Sequence, residues 1–346
     1  MNAKILRSCL SNRVFCMGKP YSPFLGAAIG ALVLLTSAFN FARPATAKQQ
    51  MARRICVVVP HFKDEYWLSV GYGLKQEALK TETELLIYES GGYHTLDRQI
   101  TLLEDCVNSR ADAILFGAVS ADDPALLDAV ERTSKLVPVV ALVNELRSPH
   151  LSGAVGVDWH DMGVAIGQYL AAIHPKNSVP ISAALITGSL DSGWSPILEA
   201  GLQEGLKESS VVVLHTGRSD TGMREQLVQV EAVLNRFTDI DLIIGSAPAI
   251  EGAMGLVANS EAISPSLVST YISHSVYRGL LSKAVDAVAF DDPVQQGRMG
   301  ISVALSAQKG RHTTEVIGPE IELAVSGAEH IVNIDLSPAD FRLDIE

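Results

Sequence analysis

Nine short runs of aliphatic and β-branched residues recur along the chain, and a stretch of amphipathic, helix-period sequence follows most of them. The runs are Ile55–Pro60, Glu84–Glu89, Ala111–Gly117, Pro138–Val143, Ile181–Thr187, Val211–His215, Ile240–Gly245, Ser266–Tyr271 and Ala284–Phe290. They are continuously apolar rather than alternating, which suits strands buried on both faces of a parallel sheet. The helical stretches are Trp67–Lys80, Leu96–Ser109, Pro124–Leu136, Met162–Ile173, Pro196–Glu208, Met223–Phe237, Ala249–Ala258 and Val294–Gln308. Asp122 or Asp123 before Pro124, and Thr221 before Met223, are expected helix caps. Strand–helix alternation at this spacing means βα units, hence an α/β fold. Four units precede a break at Arg147–Gly153 and a second series follows it. The chain is therefore expected to form two doubly wound parallel-sheet lobes. In such sheets a ligand sits beyond the C-terminal strand ends, here across a cleft between the lobes.

Residues 1–47 read as a removable leader. Lys4, Arg7, Arg13 and Lys19 precede an apolar run from Phe24 to Phe39, and Ala45-Thr46-Ala47 supplies a small-x-small cleavage pattern. An uncleaved anchor is the competing reading, but the run is short for a membrane span. Cleavage would remove five basic residues and no acid, taking the net charge from −12 to −17. That surface excludes nucleic-acid binding, which needs clustered Lys and Arg. The exported chain would keep only Cys56 and Cys106, in a compartment where disulfides persist. Pairing is favoured there, with two free thiols as the alternative.

The strand ends can be read for chemistry. Aromatic residues are only 6% of the chain, yet Tyr66, Trp67, Tyr93, Trp159 and Tyr271 all fall at expected strand ends or just past the break. Singly, each fits core or rim packing. Together they suggest an aromatic-walled pocket, whose faces attract methylated ammonium groups and whose O–H and N–H groups donate to a small acceptor. Asp64 and Asp291 would add negative charge there, unless they are solvated helix caps. No catalytic or metal-binding pattern stands beside them. G-x-S-x-G, P-loop and H-E-x-x-H are missing, and Gly71-Tyr72-Gly73 lacks the third glycine of a dinucleotide loop. His160-Asp161 and His274 suit solvated or capping roles better than catalysis. The expectation is a binding protein, not an enzyme, with no cofactor and no metal.

The segments Lys63–Ser69, Glu89–Tyr93, Val155–Gly163 and Val268–Leu280, with the order of strands over residues 53–340, resemble the type I periplasmic binding proteins. Within that superfamily they are most similar to its trimethylamine N-oxide (TMAO) receptors. The resemblance implies a three-segment hinge, with lobe one over 53–147 plus 293–317 and lobe two over 148–292 plus 318–346. It implies a periplasmic receptor that binds TMAO and reports to the periplasmic domain of a sensor histidine kinase, touching the membrane only through that kinase. It carries ligand-binding roles to Asp64, Tyr66, Trp67, Tyr93, Trp159 and Tyr271, and it places a cysteine pair at Cys56 and Cys106. Asp291 falls in a segment, Asp291–Gln296, that matches loosely. The alternative is a receptor delivering a sugar or other solute to an ABC transporter. Against a sugar, Val143-Asn144 stands where sugar binders carry an Asp-Arg pair. Trp194, in the loop Leu190–Pro196, has no counterpart in the family pattern; it would add a pocket wall or alter ligand choice.

Overall fold

A computed structural model describes residues 53–260, 264–313, 315–328 and 333–346; the expected leader lies outside the described residues. The first sheet contains β1 (Arg53–Val59), β2 (Thr83–Glu89), β3 (Ala113–Phe116), β4 (Val139–Val143), β5 (Gly153–Gly156) and β11 (Val316–Ile317), in the order β11-β5-β4-β3-β1-β2. The second contains β6 (Ile181–Thr187), β7 (Val211–Arg218), β8 (Leu242–Gly245), β9 (Ser266–Ser269), β10 (Ala287–Phe290) and β12 (Glu322–Val325), in the order β12-β10-β9-β8-β6-β7. Every pairing is parallel except β10 with β12.

Strand β1 shows why its sequence is continuously apolar. Ile55, Val57 and Val59 join one buried cluster, whereas Cys56 and Val58 join another on the opposite face. Successive side chains point to opposite faces, so both faces must be apolar when both are covered. On the Cys56 side the cover is α2 (Leu96–Asn108) and α3 (Pro124–Ser134), through Leu102, Leu103, Leu126 and Val130. Cys106 of α2 reaches back to Cys56, 50 positions earlier in the sequence, in a disulfide with Cα atoms 5.7 Å apart. Closing that loop is worth about 4 kcal/mol on the chain-entropy account. Cys106→Ser is therefore expected to lower the melting temperature of oxidised protein. Equal melting of the variant and the parent would remove the bond from the stability account.

The chain passes between the sheets after β5, after β10 and between β11 and β12. Each of the first two passages ends in a helix that packs tightly in the lobe it enters. Helix α9 (Pro293–Ala307) lies against α1 (Glu65–Lys80), and α4 (Trp159–Ile173) lies against α5 (Ser195–Gly205). Both pairs meet through glycines. A Cβ on Gly73 would run into the Val294 carbonyl, and one on Gly201 into the His160 carbonyl.

Several elements differ from the sequence reading. Strand β5 lies in what reads as a break, because Gly153-Ala154-Val155-Gly156 is too short and glycine-rich to register as a strand. Helix α8 (His274–Ser282), β11 and β12 were not anticipated. Asp123 caps α3 as expected, but Thr221 does not cap α6 (Met223–Arg236); Gly222 holds that position without a side-chain bond. The C-terminal tail bears on the lobe boundaries. Phe341 packs on Tyr72, Asp344 pairs with Lys75, and the Glu346 N–H donates to the Ile87 carbonyl. With β5 in the first sheet, these contacts lead us to propose lobe one as 53–156, 293–317 and 333–346. Lobe two then takes 157–292 and the segment carrying β12.

Candidate functional site

The C-terminal ends of both sheets converge on one small, closely packed space of about 10 Å³. From lobe one come Asp64, Tyr66 and Trp67 at the start of α1, Tyr93 after β2, and Val143-Asn144 after β4. From beyond the crossings come Trp159, Trp194 and Tyr271. All the aromatic side chains are 5% exposed or less. Their rings meet mostly edge to face or tilted. Tyr66 and Tyr271 have centroids 5.4 Å apart, Trp159 and Trp194 5.3 Å, and Trp194 and Tyr271 5.7 Å. Six of the seven residues expected from the sequence are thus brought together. Asp291 stands one layer back, behind Tyr66.

Local structure fixes each group. Asp64 is the N-cap of α1: one carboxylate oxygen accepts the Tyr66 N–H at 3.0 Å. The other accepts the Tyr271 hydroxyl at 2.6 Å, a bond that bridges the lobes. It is therefore a helix cap, but a buried one, 3% exposed. The Tyr66 hydroxyl donates to Asp291 at 2.7 Å, and Gln296 Nε2 donates to both. Burial pushes the carboxyls of Asp64 and Asp291 up to about 6, against the hydrogen bonds that hold them down. Burial and the facing carboxylates push the Tyr66 and Tyr271 phenols up as well, so both stay donors at neutral pH.

Behind the far wall, Val143 has φ +67°, and the Asn144 N–H donates to the Leu142 carbonyl at 2.8 Å. An i to i+2 bond about a residue with positive φ is a strained γ-turn, and a β-branched residue is poorly suited to it. The turn aims two groups. The Val143 carbonyl accepts the Trp159 indole N–H at 3.1 Å, and Asn144 Nδ2 donates to Tyr93 Oη at 3.1 Å and to the Ala118 carbonyl at 2.8 Å.

Further bonds close the lobes around the box. His61 Nε2 lies 3.0 Å from Thr221 Oγ1 and 3.3 Å from Asp220, and both His61 and Asp220 are buried. The Ser275 N–H donates to Glu65 at 3.0 Å, and the Glu145 N–H to the Gly193 carbonyl at 3.1 Å. His160 is partly exposed between Asp161 and Glu204, and His274 bonds the Ser337 carbonyl. Neither residue lines the enclosed space. The γ-turn is the part of the site that the sequence reading leaves unassigned. Trp194, expected to add a pocket wall or alter ligand choice, lines the space.

The raised carboxyl of Asp291 has a stability consequence. Its folded pKa lies above its unfolded value of 3.8, so its contribution is present below that pH. The contribution is lost as pH rises from about 4 through about 6, a loss of about 3 kcal/mol. Asp291→Asn is expected to escape that loss. Urea unfolding at pH 4.5, 5.5 and 7.5 should show the variant gaining on the parent as pH rises, and parallel profiles would contradict the assignment.

Comparison with known proteins agrees with this architecture. A periplasmic binding protein domain matches residues 55–312. The periplasmic protein TorT of Escherichia coli K12 is 32% identical over 299 residues, covering 85% of each chain. Solved complexes of the TorS sensor domain with TorT, without ligand and with TMAO, superpose with a TM-score of 0.74 at 34% and 33% identity. They cover 85% of this chain and all of the matched one. An ABC transporter solute-binding protein from Bradyrhizobium sp. BTAi1, with bound bis-tris, is 32% identical with a TM-score of 0.66, covering 80% of this chain and 83% of its own. The chain, with two parallel-sheet lobes whose facing strand ends meet at an aromatic box, belongs to the type I periplasmic binding proteins as a TorT-like member.

Proposed function

We propose that this chain is a periplasmic receptor that binds TMAO between its lobes and signals occupancy to the sensor domain of a TorS-type histidine kinase. The observation that carries the reading is the box itself. Six aromatic side chains from both sides of the cleft surround a small space, with a buried carboxylate and, among the described residues, no Lys or Arg in its walls. TMAO presents three methyl groups on a formally cationic nitrogen, which aromatic faces attract, and one oxygen that accepts hydrogen bonds. The ligand leaves unchanged. It acts by favouring the closed arrangement, and only to the extent that it binds that form more tightly.

A sugar fits this box poorly. Its single side-chain amide, Asn144, already serves Tyr93 and Ala118. Delivery of an amine to a transporter is the second reading, supported by the relative that holds bis-tris. Calorimetry on residues 48–346 tests the ligand. Saturable heat with TMAO, and none with ribose, is expected; no TMAO signal would refute the assignment. Size-exclusion chromatography with a TorS-type sensor domain tests the output. Co-elution supports the sensory reading, and separate peaks with and without TMAO favour transport.

A further inference from the structure

The donors in the box can be accounted for one by one. The Trp159 indole N–H is given to the Val143 carbonyl, the Tyr66 hydroxyl to Asp291 and the Tyr271 hydroxyl to Asp64. Both amide protons of Asn144 are given away, one of them to Tyr93 Oη, and the Trp67 side chain acts on the same hydroxyl. Two donors remain. Trp194 is 2% exposed, and its Nε1 is buried without a partner among the described residues. Tyr93 Oη accepts from Asn144, and its own proton has no acceptor among the described residues. The two rings are in edge contact, with centroids 6.4 Å apart, and both line the enclosed space. A buried N–H with no partner carries a desolvation penalty that a guest with an acceptor oxygen would relieve.

We infer that the Trp194 indole N–H, assisted by the Tyr93 hydroxyl, is the specificity-determining donor that reads the ligand's oxide oxygen. This rests on the TMAO reading above and deepens it. The remaining rings and Asp64 then recognise the methylated nitrogen, a feature TMAO shares with other methylated amines. The pair that binds oxygen is what separates the N-oxide from those amines. The loop that supplies Trp194 lies in lobe two, whereas Tyr93 follows β2 in lobe one, so an oxygen held by both also ties the lobes together.

The chain has three tryptophans, and all three line the space. Indole ¹⁵N labelling therefore gives three Nε1–H resonances, each from the site. Trp194→Phe assigns one by its loss, and survival of the other two shows that the variant folds. On saturation with TMAO the Trp194 resonance should move downfield, as a new N–H···O bond requires. Trp194→Phe should weaken TMAO binding about tenfold or more by calorimetry, and Tyr93→Phe should weaken it too. A Trp194 resonance that stays in place at saturation, or a Trp194→Phe affinity within twofold of the parent, would overturn the inference while leaving the receptor reading intact. Failure of the parent to bind TMAO would overturn both, and calorimetry of the parent identifies that case by itself.

Discussion

Trp159→Ala is expected to weaken TMAO binding by roughly ten- to thirtyfold or more, the equivalent of a lost cation–π wall in a desolvated site. The effect should exceed that figure because the ring does more than face the ligand. It contacts Tyr66, Trp194 and Tyr271, and its N–H anchors the strained carbonyl at Val143. Removing a buried tryptophan also leaves a void worth about 3–5 kcal/mol where the site cannot collapse. Much of that loss should fall on the closed form, since the contacts cross between lobes. Calorimetry gives the affinity and thermal unfolding gives the stability. A variant that binds TMAO like the parent would remove Trp159 from the ligand's surroundings.

Gly73→Ala should destabilise the first lobe by about 3 kcal/mol, near the upper end of overpacking, and lower its melting temperature by about 6 °C or more. Helix propensity argues the other way, because alanine is favoured over glycine by about 1 kcal/mol inside a helix. Contact decides the sign. At Gly73 the new Cβ meets the Val294 backbone carbonyl, which no rotamer change can move aside. Gly255, in helix α7 (Ala247–Ala258), has nothing among the described residues within 4 Å of the same position. Gly255→Ala should therefore raise stability slightly. Thermal unfolding of the two variants side by side checks the argument, and shifts of the same sign would defeat it.

The strands were legible because burial on both faces leaves a continuous apolar run. Cys56–Val59 is such a run, split in the structure between two clusters. The box was legible for a related reason. Parallel strands place their C-terminal ends together, so scarce aromatics at those ends converge on one place. Short edge strands were not legible. Val316–Ile317 pairs with Ala154 and Val155, and nothing in two apolar residues announces a strand. Nor could the sequence show how polar groups are spent. Asn144 reads only as a departure from the Asp-Arg pair of sugar binders, yet its protons are committed by a turn that depends on a positive φ at valine. Trp194 reads as an added pocket wall, but its sequence position does not show that its N–H has no partner among the described residues.

The bonds that span the cleft have a consequence for the output of such a receptor. Tyr271 with Asp64, Tyr66 with Asp291, His61 with Thr221 and Glu65 with Ser275 are all made between groups of the chain itself. They favour closure whether or not a guest is present, so the guest need supply only the remainder. Affinity and silence are then opposed. Each bond that tightens binding also raises the resting closed fraction, and with it the background signal. Weakening one of these links should lower both together, leaving a receptor that is quieter at rest and answers only to higher concentrations.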